Sequence, residues 1–221
     1  RDQPRSRGLG DVYKRQAQDF VWKSGQNMKV VCDTTEAPVV KVALDLLKRD
    51  CRSVLSGEIS RSENTGNIYV GTWGESSVLQ ALADTRQLDV AQLNEHKEAF
   101  LLNVLPDGRL VVAGSDKRGT AYGVLELSRM MGVSPWEWWA DAVPEKKEEF
   151  CLPAGFRKLD YPQVAYRGIF INDEDWGLTP WSWKHYEPSE RKGQIGPKTH
   201  ARIFELLLRL RANTFWPAMH E

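Results

Sequence analysis

An acidic cluster follows a short apolar run in the C-terminal quarter of this 221-residue sequence. Residues 166–172 read Tyr-Arg-Gly-Ile-Phe-Ile-Asn, the pattern of a buried strand, and Asp173, Glu174 and Asp175 come directly after Asn172. Three neighbouring carboxylates repel one another unless they bind hydroxyl groups, a cation or basic partners. A solvated acidic loop is the alternative, but parallel α/β folds bind their ligands at the carboxyl ends of strands. The context therefore predicts a ligand site at this strand end.

Tryptophan is frequent for a charged sequence, with nine residues in the chain. A flat ring with a polar edge suits a sugar, whose C–H faces are apolar and whose rim carries hydroxyl groups. Four tryptophans lie at the ends or loops of the same predicted unit: Trp176, Trp181, Trp183 and Trp216. Of these, Trp181 and Trp216 are the stronger candidates for ligand contact. For Trp136, Trp138 and Trp139 we prefer packing, because large aromatic side chains are unfavourable in water.

Other polar motifs carry less information. The segment Gly114-Ser-Asp-Lys-Arg-Gly119 could offer backbone N–H groups to an anion. It lacks the spacing of a phosphate-binding loop, so a plain strand-to-helix turn is the favoured alternative. The histidines show no metal-ligand spacing. The three cysteines are interpreted as small buried hydrophobic residues. The sequence therefore predicts neither a metal nor a cofactor.

The first part of the chain predicts a mixed α/β domain. From residue 19 to about 155, short apolar runs alternate with helical patterns, and the Pro-Asp-Gly-Arg sequence at 106–109 predicts a hairpin. Thr35 is expected to cap a helix with Pro38 in its first turn, and Gly132 is expected to end a later helix. Residues 133–165 show little periodicity and predict a packed linker.

A second unit begins near Tyr166. A strand from 166, a helix over 199–211 and a strand over 212–216 predict a βαβ unit with parallel strands. On the helix, the predicted apolar stripe is Ile203, Phe204, Leu207 and Leu210, and the predicted opposite face is Arg202, Glu205 and Arg209. The fold class is therefore α/β, with residues 17–155 as an N-terminal domain, a linker to about 165, and 166–221 as the start of a (β/α)₈ barrel. Such a barrel takes about 250 residues, so we expect a fragment that contains the first portion alone.

Composition and charge narrow the function classes. The 30 basic and 30 acidic residues give a net charge of zero, which argues against broad attraction to nucleic acid or an anionic membrane. No apolar run approaches the roughly 20 residues that span a bilayer. Residues 1–16 lack a hydrophobic period and are expected to form a disordered or non-native tail.

Three sequence strings carry a family resemblance. These are GTAYGVLELSRMMGVSPWEWWAD at 119–141, YRGIFINDEDWGLTPW at 166–181 and NTFWPAMHE at 213–221. Together they resemble glycoside hydrolase family 115, the xylan α-glucuronidases. The resemblance extends over essentially all residues from about 19 onward. It implies an N-terminal α/β domain, a (β/α)₈ catalytic barrel, and removal of α-1,2-linked glucuronic acid or its 4-O-methyl ether from xylan with inversion.

The resemblance also implies roles for individual residues. Asp173 and Trp216 match pocket residues of the family, with Asp173 as the catalytic candidate. The further substrate-binding candidates are Asn172, Glu174, Asp175, Trp176 and Trp181. The family's general acid lies on a later strand, so we expect this chain alone to be inactive.

The resemblance further implies a xylan or glucuronoxylo-oligosaccharide partner, secretion or periplasmic export, and a homodimer in the full-length protein. Two alternatives remain open from the residues themselves. One is a carbohydrate-binding or interaction module whose α/β domain acts without a barrel. The other is a different barrel glycosidase, such as a hexosaminidase-like enzyme, with the same domain order.

Overall fold

The structure is a computed structural model and describes residues 17–172, 176–188 and 193–217. Residues 1–16, for which the sequence predicts a tail, lie outside the described residues. The described strands are β1 (Phe20–Lys23), β2 (Asn27–Val31), β3 (Glu58–Ser62), β4 (Ile68–Thr72), β5 (Phe100–Val104), β6 (Leu110–Gly114), β7 (Glu149–Leu152), β8 (Arg157–Asp160), β9 (Gly168–Phe170) and β10 (Thr214–Trp216). The described helices are α1 (Pro38–Leu55), α2 (Ser77–Asp84), α3 (Lys117–Met131), α4 (Leu178–Trp181) and α5 (Pro197–Arg209), with a 3₁₀ turn over Ala91–Glu95 and a π-helical turn over Ser182–Tyr186.

A six-stranded sheet organises the first part of the chain, in the order β3-β2-β4-β6-β5-β8. The strands β3, β2, β4 and β6 are parallel, and β5 is antiparallel to both β6 and β8. The β5–β6 pair is the hairpin that the sequence predicts, and Gly108 in its turn has a φ of 80°. Left-handed backbone of this kind favours glycine, so the Asp-Gly pair specifies the turn.

Alternating side chains give this sheet two buried faces. Val30, Val70 and Val112 pack into one core with the apolar faces of α1 and α3. Their neighbours Tyr69 and Val111 point to the other face and pack with apolar residues of α2. This is the period of two that a strand imposes, and it explains why the central strands read as continuous apolar runs.

Two local expectations are wrong. Helix α1 begins at Pro38 after Ala37, and no side chain caps it, so Thr35 does not have the expected role. Proline at the first position lacks an N–H, which leaves one fewer donor to be capped. The expected linker also contains two strands: β7 pairs with β1, and β8 forms one edge of the main sheet. Each has four residues, too few to show a clear period in the sequence.

The second unit is a βαβ unit, as predicted. β9 and β10 are parallel and pair Gly168 with Thr214 and Phe170 with Trp216. A Cβ at position 168 would lie 1.7 Å from the carbonyl oxygen of Thr214, so the close approach of the strands requires glycine there. The α/β fold class is therefore confirmed for the described residues.

Helix α5 buries part of its apolar stripe: Ile203 and Leu207 are buried, whereas Phe204 and Leu210 are substantially exposed. The predicted polar face is wrong at one position. Arg209, assigned to a polar face, is buried instead. The reason is a partner distant in sequence. Both guanidinium NH₂ groups of Arg209 donate to the carboxylate of Asp50 on α1, at 2.8 and 2.9 Å, and the two side chains are only 4% and 2% exposed.

Two further buried carboxylates of the first unit bind arginines of the second. Glu126 on α3 accepts hydrogen bonds from Arg211 at 2.5 Å and from Lys158 at 2.6 Å. Glu98 accepts from Arg167 at 2.5 Å and from the side-chain amide of Asn213 at 3.0 Å. Arg167 immediately precedes β9 and Asn213 immediately precedes β10, so one carboxylate holds the amino ends of both strands.

We expect Asp50→Ala to lower the free energy of unfolding by about 3–5 kcal/mol, because it leaves the guanidinium of Arg209 buried without its bidentate partner. Urea denaturation followed by tryptophan fluorescence measures this change. The control is Glu58→Ala, which removes an ion pair with Arg52 in which both side chains are about half exposed. The control should show little effect. Equal effects of the two substitutions would contradict this role for the buried pair.

The cluster around Glu126 predicts a pH dependence. Burial alone raises the pKa of this carboxyl, but hydrogen bonds from Arg129, Lys158 and Arg211 outweigh it and lower the pKa to about 2. An ordinary glutamate in the unfolded chain titrates near 4.3. The stabilisation is therefore complete above about pH 4.3 and is lost as the pH falls toward 2.

Glu126→Gln should therefore flatten the dependence of unfolding free energy on pH between about 4.3 and 2. Denaturation series at several acidic pH values measure the slope. The exposed Glu63→Gln serves as the control and should keep the slope of the unaltered protein. A slope unchanged by Glu126→Gln would show that this carboxyl does not carry the acid sensitivity.

Candidate functional site

The carboxyl ends of β9 and β10 lie side by side and bring two predicted site residues to one edge. The backbone N–H of Ile171 donates to the carbonyl of Trp216 at 3.0 Å, so Asn172 follows at the point where β10 ends. The Trp216 side chain is 66% exposed, and its ring lies 6.0 Å from that of Phe170 in an edge-to-face arrangement. Sequence reasoning missed Phe170, although its place at the end of the predicted strand was a usable signal.

The predicted acidic cluster follows Asn172 in the sequence. Asp173, Glu174 and Asp175 lie outside the described residues, so their roles stay predictions. The described chain resumes at Trp176, whose side chain is 77% exposed. Asn172 is exposed as well. In this 221-residue chain the described residues on both sides of the cluster are thus exposed.

Trp181 has a different environment, inside an aromatic cluster formed by Trp138, Trp139, Trp181 and Tyr186. Its ring stacks on that of Tyr186 at 5.1 Å and an angle of 7°. The π-helical turn between them explains this contact, because its i→i+5 geometry brings residues five apart onto the same side. The rings of Trp138 and Trp139 each lie 6.1 Å from that of Trp181. Trp181 thus packs against several rings while remaining half-buried, and its role toward a ligand stays a prediction.

The expected linker supplies half of this aromatic cluster. The indole N–H of Trp139 donates to the carbonyl of Arg202 at 3.2 Å, and the Arg202 guanidinium lies 4.8 Å from the centre of the Trp138 ring. Packing is therefore confirmed for Trp138 and Trp139. It is wrong for Trp136, whose side chain is about half exposed. The linker tryptophans support the loop between β9 and α5.

The glycine-bounded segment 114–119 is a self-capped turn. The Asp116 carboxylate accepts the backbone N–H groups of Arg118 at 3.0 Å and Gly119 at 2.9 Å, which are the groups that an anion would need. The segment is therefore a plain strand-to-helix turn, and its N–H groups are not available to bind an anion.

Metal and thiol chemistry find no support in the described part of the chain. No group of three or more His, Cys, Asp or Glu side chains there could hold a metal ion. Burial is the main cause that raises the pKa of the Cys32 and Cys51 thiols to about 12, so both stay protonated. Cys151 is exposed, which contradicts its interpretation as buried.

Known proteins resemble both parts of the chain. The family model described as glycosyl hydrolase family 115 matches residues 159–221. A solved family GH115 4-O-methyl-α-glucuronidase, with specificity for decorated arabinogalactans, is 61% identical over 91% of this chain, with a TM-score of 0.87. The match covers 26% of that enzyme, so the chain spans about a quarter of its length. A search of curated proteins found no match.

More distant solved structures show the fold alone. A GH20 exo-β-N-acetylglucosaminidase from Vibrio harveyi is 14% identical, with a TM-score of 0.51 over 92% of this chain and 24% of that one. The protein CpGH84D is also 14% identical, with a TM-score of 0.53 over 91% of this chain and 35% of that one. Neither has the sequence similarity of the GH115 enzyme, so the hexosaminidase-like alternative is not favoured. Over nearly its whole length the chain is thus similar to a glycosyl hydrolase family 115 enzyme, and its segment with β9, α5 and β10 matches the model of that family.

Proposed function

We propose that the full-length protein is an inverting α-glucuronidase that removes glucuronic acid, or its 4-O-methyl ether, from the side chains of a plant polysaccharide. The 61% identity to a 4-O-methyl-α-glucuronidase carries this proposal. The aromatic side chains of Phe170 and Trp216, placed together at the carboxyl ends of β9 and β10, support it, because aromatic faces suit sugar rings. A binding module without catalysis is less favoured, since the similar solved protein is a glucuronidase.

The backbone of the substrate has two candidates. The resemblance in the sequence favours xylan with α-1,2-linked side chains. The solved relative is specific for decorated arabinogalactans, which makes these the second candidate. Both substrates present the same terminal sugar, so one pocket for glucuronic acid would serve either. The preference between them would depend on the surface that binds the polysaccharide backbone.

The proposed mechanism divides roles between this chain and the rest of the protein. An inverting glycosidase needs two carboxyl groups roughly 6.5–9.5 Å apart, with the attacking water between one of them and the sugar. Asp173 would bind sugar hydroxyl groups or position this water, and Trp216 would stack on the sugar and exclude bulk water. Asn172, Glu174, Asp175, Trp176 and Trp181 would contact the substrate. The general acid would come from a later barrel strand, so the 221-residue chain alone would be inactive.

The proposal extends to the context of the full-length protein. It includes a (β/α)₈ barrel that continues from β10, secretion or periplasmic export toward a polysaccharide substrate, and a homodimer. No cofactor is required for hydrolysis by two carboxyl groups. Among the described residues, no helix is both long and apolar enough to cross a membrane.

Asp173→Ala and Trp216→Ala in the full-length protein should each impair release of glucuronic acid while leaving the circular dichroism spectrum unchanged. A charge-assisted hydrogen bond is worth roughly 1.5–3 kcal/mol, so Asp173→Ala should lower kcat/KM about tenfold or more. Trp216→Ala should act mainly on KM, because stacking contributes to binding.

The matched controls for these variants are Asp84→Ala and Trp136→Ala, which remove an exposed carboxylate and an exposed indole elsewhere on the surface. Both controls should keep the kinetics of the unaltered enzyme. Unchanged kinetics in Asp173→Ala and Trp216→Ala would remove the site assignment. Unfolding of Trp216→Ala would make this residue part of the core.

A substrate comparison separates the two polysaccharide candidates. We expect release of 4-O-methylglucuronic acid from either glucuronoxylan or a decorated arabinogalactan, measured by chromatography of the free sugar. A ratio of kcat/KM values above about 100 corresponds to nearly 3 kcal/mol of differential transition-state binding, enough to name the preferred backbone. No release from either polymer would contradict the proposed function.

A further inference from the structure

The amino end of helix α5 is capped by a residue from ten positions upstream. The residue preceding the helix, Gly196, has no side chain to act as a cap. Instead, the Glu187 carboxylate accepts the backbone N–H groups of Lys198 at 3.0 Å and Thr199 at 2.8 Å. A carboxylate is favoured there because the first N–H groups of a helix lack partners and carry a partial positive charge. Glu187 therefore connects the end of the π-helical turn to the start of α5.

A buried pair of hydroxyl groups strengthens this connection. Ser182 and Thr199 are fully buried, and their hydroxyl oxygens lie 2.7 Å apart. The Ser182 hydroxyl also accepts the backbone N–H of Gly196 at 3.2 Å and donates to the Glu187 carboxylate at 3.4 Å. Burial raises the pKa of Glu187, but hydrogen bonds led by those from Thr199 outweigh it and lower the pKa. The carboxylate is thus the form that this arrangement holds.

Space for the carboxylate depends on Gly196. A Cβ at this position would lie 2.4 Å from Cδ of Glu187, well inside van der Waals contact. The backbone of Gly196 has a φ of −85°, which any residue adopts. Alanine would therefore fit the local backbone but displace the carboxylate. This gives a way to disturb Glu187 without replacing it.

The contacts fix the part of the loop that carries Trp181. Ser182 directly follows Trp181, and Glu187 directly follows Tyr186, the residue on which Trp181 stacks. Holding Ser182 and Glu187 at the start of α5 therefore holds both ends of the stacked pair. Trp181 is the predicted substrate-binding residue that these contacts hold.

We infer that Glu187 is a positioning residue, which fixes residues 177–187 through Ser182 and the start of α5 and so presents Trp181 to the substrate. The loop-fixing step stands on the contacts alone. The substrate step rests on the proposed function.

The test uses the full-length protein with four changes: Glu187→Ala, Glu187→Gln, Gly196→Ala and the double variant Glu187→Ala/Gly196→Ala. Hydrogen–deuterium exchange of residues 177–186 reports on the loop independently of activity. Kinetics of glucuronic acid release separate KM from kcat. The control is Ser76→Ala, which removes the side-chain cap of α2, far in sequence from this loop.

We expect Glu187→Ala to speed exchange of residues 177–186 about tenfold and to raise KM about fivefold, with kcat changed less than about twofold. Glu187→Gln keeps one acceptor oxygen, so its exchange rate and KM should lie between those of the unaltered protein and those of Glu187→Ala. Gly196→Ala should resemble Glu187→Ala, and the double variant should be no worse than Glu187→Ala, because the displaced group is already absent. Ser76→Ala should lower the melting temperature without changing exchange of the loop or KM.

Unchanged exchange of residues 177–186 in Glu187→Ala would overturn the inference, as would additive effects of Glu187→Ala and Gly196→Ala. Faster exchange with an unchanged KM would overturn its substrate step. If the unaltered enzyme releases no glucuronic acid, the proposed function fails, and exchange alone decides whether Glu187 fixes the loop.

Discussion

The contacts between the two parts of the chain depend on buried carboxylates that meet arginines. Asp50, Glu98 and Glu126 belong to the first unit, and each binds an arginine that flanks or ends an element of the βαβ unit. A buried carboxylate without a partner is strongly unfavourable. Glu98 and Glu126 also pair with basic residues of the first unit, so Arg167 and Arg211 complete these clusters, whereas Asp50 makes its bidentate contact with Arg209 alone. The bidentate pair of Asp50 and Arg209 therefore favours one placement of α5 against α1, and the contacts of Glu98 and Glu126 agree with it.

This constraint acts at the amino ends of the strands and leaves the carboxyl ends available for a site. The carboxylate of Glu98 holds Arg167 and Asn213, which precede β9 and β10. The strands have only three residues each, so the register set at one end carries directly to Phe170 and Trp216 at the other. On the carboxyl side, aromatic packing and the cap of α5 hold the following loop. The first unit thus holds β9 and β10 in place and supplies none of the predicted site residues.

Local sequence signals predicted the elements whose cause is local. The Asp-Gly turn specified the β5–β6 hairpin, and Gly132, with a φ of 102°, ends α3 as expected. Elements that depend on distant partners escaped prediction. β8 exists because β5 offers a free edge, and the inward face of α5 includes the charged Arg209 because Asp50 lies opposite it. The candidate site was predicted in part from strand-end position, whereas the individual roles of Asp173 and Trp216 came from resemblance to a family. The cap by Glu187 could not be predicted from the sequence, because a capping residue ordinarily lies directly before its helix and Glu187 lies ten residues before Pro197.

In the proposed full-length enzyme, the carboxyl ends of β9 and β10 form part of the glucuronic acid pocket. A crystal structure of that protein with bound 4-O-methylglucuronic acid would show where the sugar lies. We expect a sugar ring at these strand ends, in contact with the Trp216 indole and within hydrogen-bonding distance of the Asp173 carboxylate. A sugar bound at a site that touches neither residue would contradict this expectation.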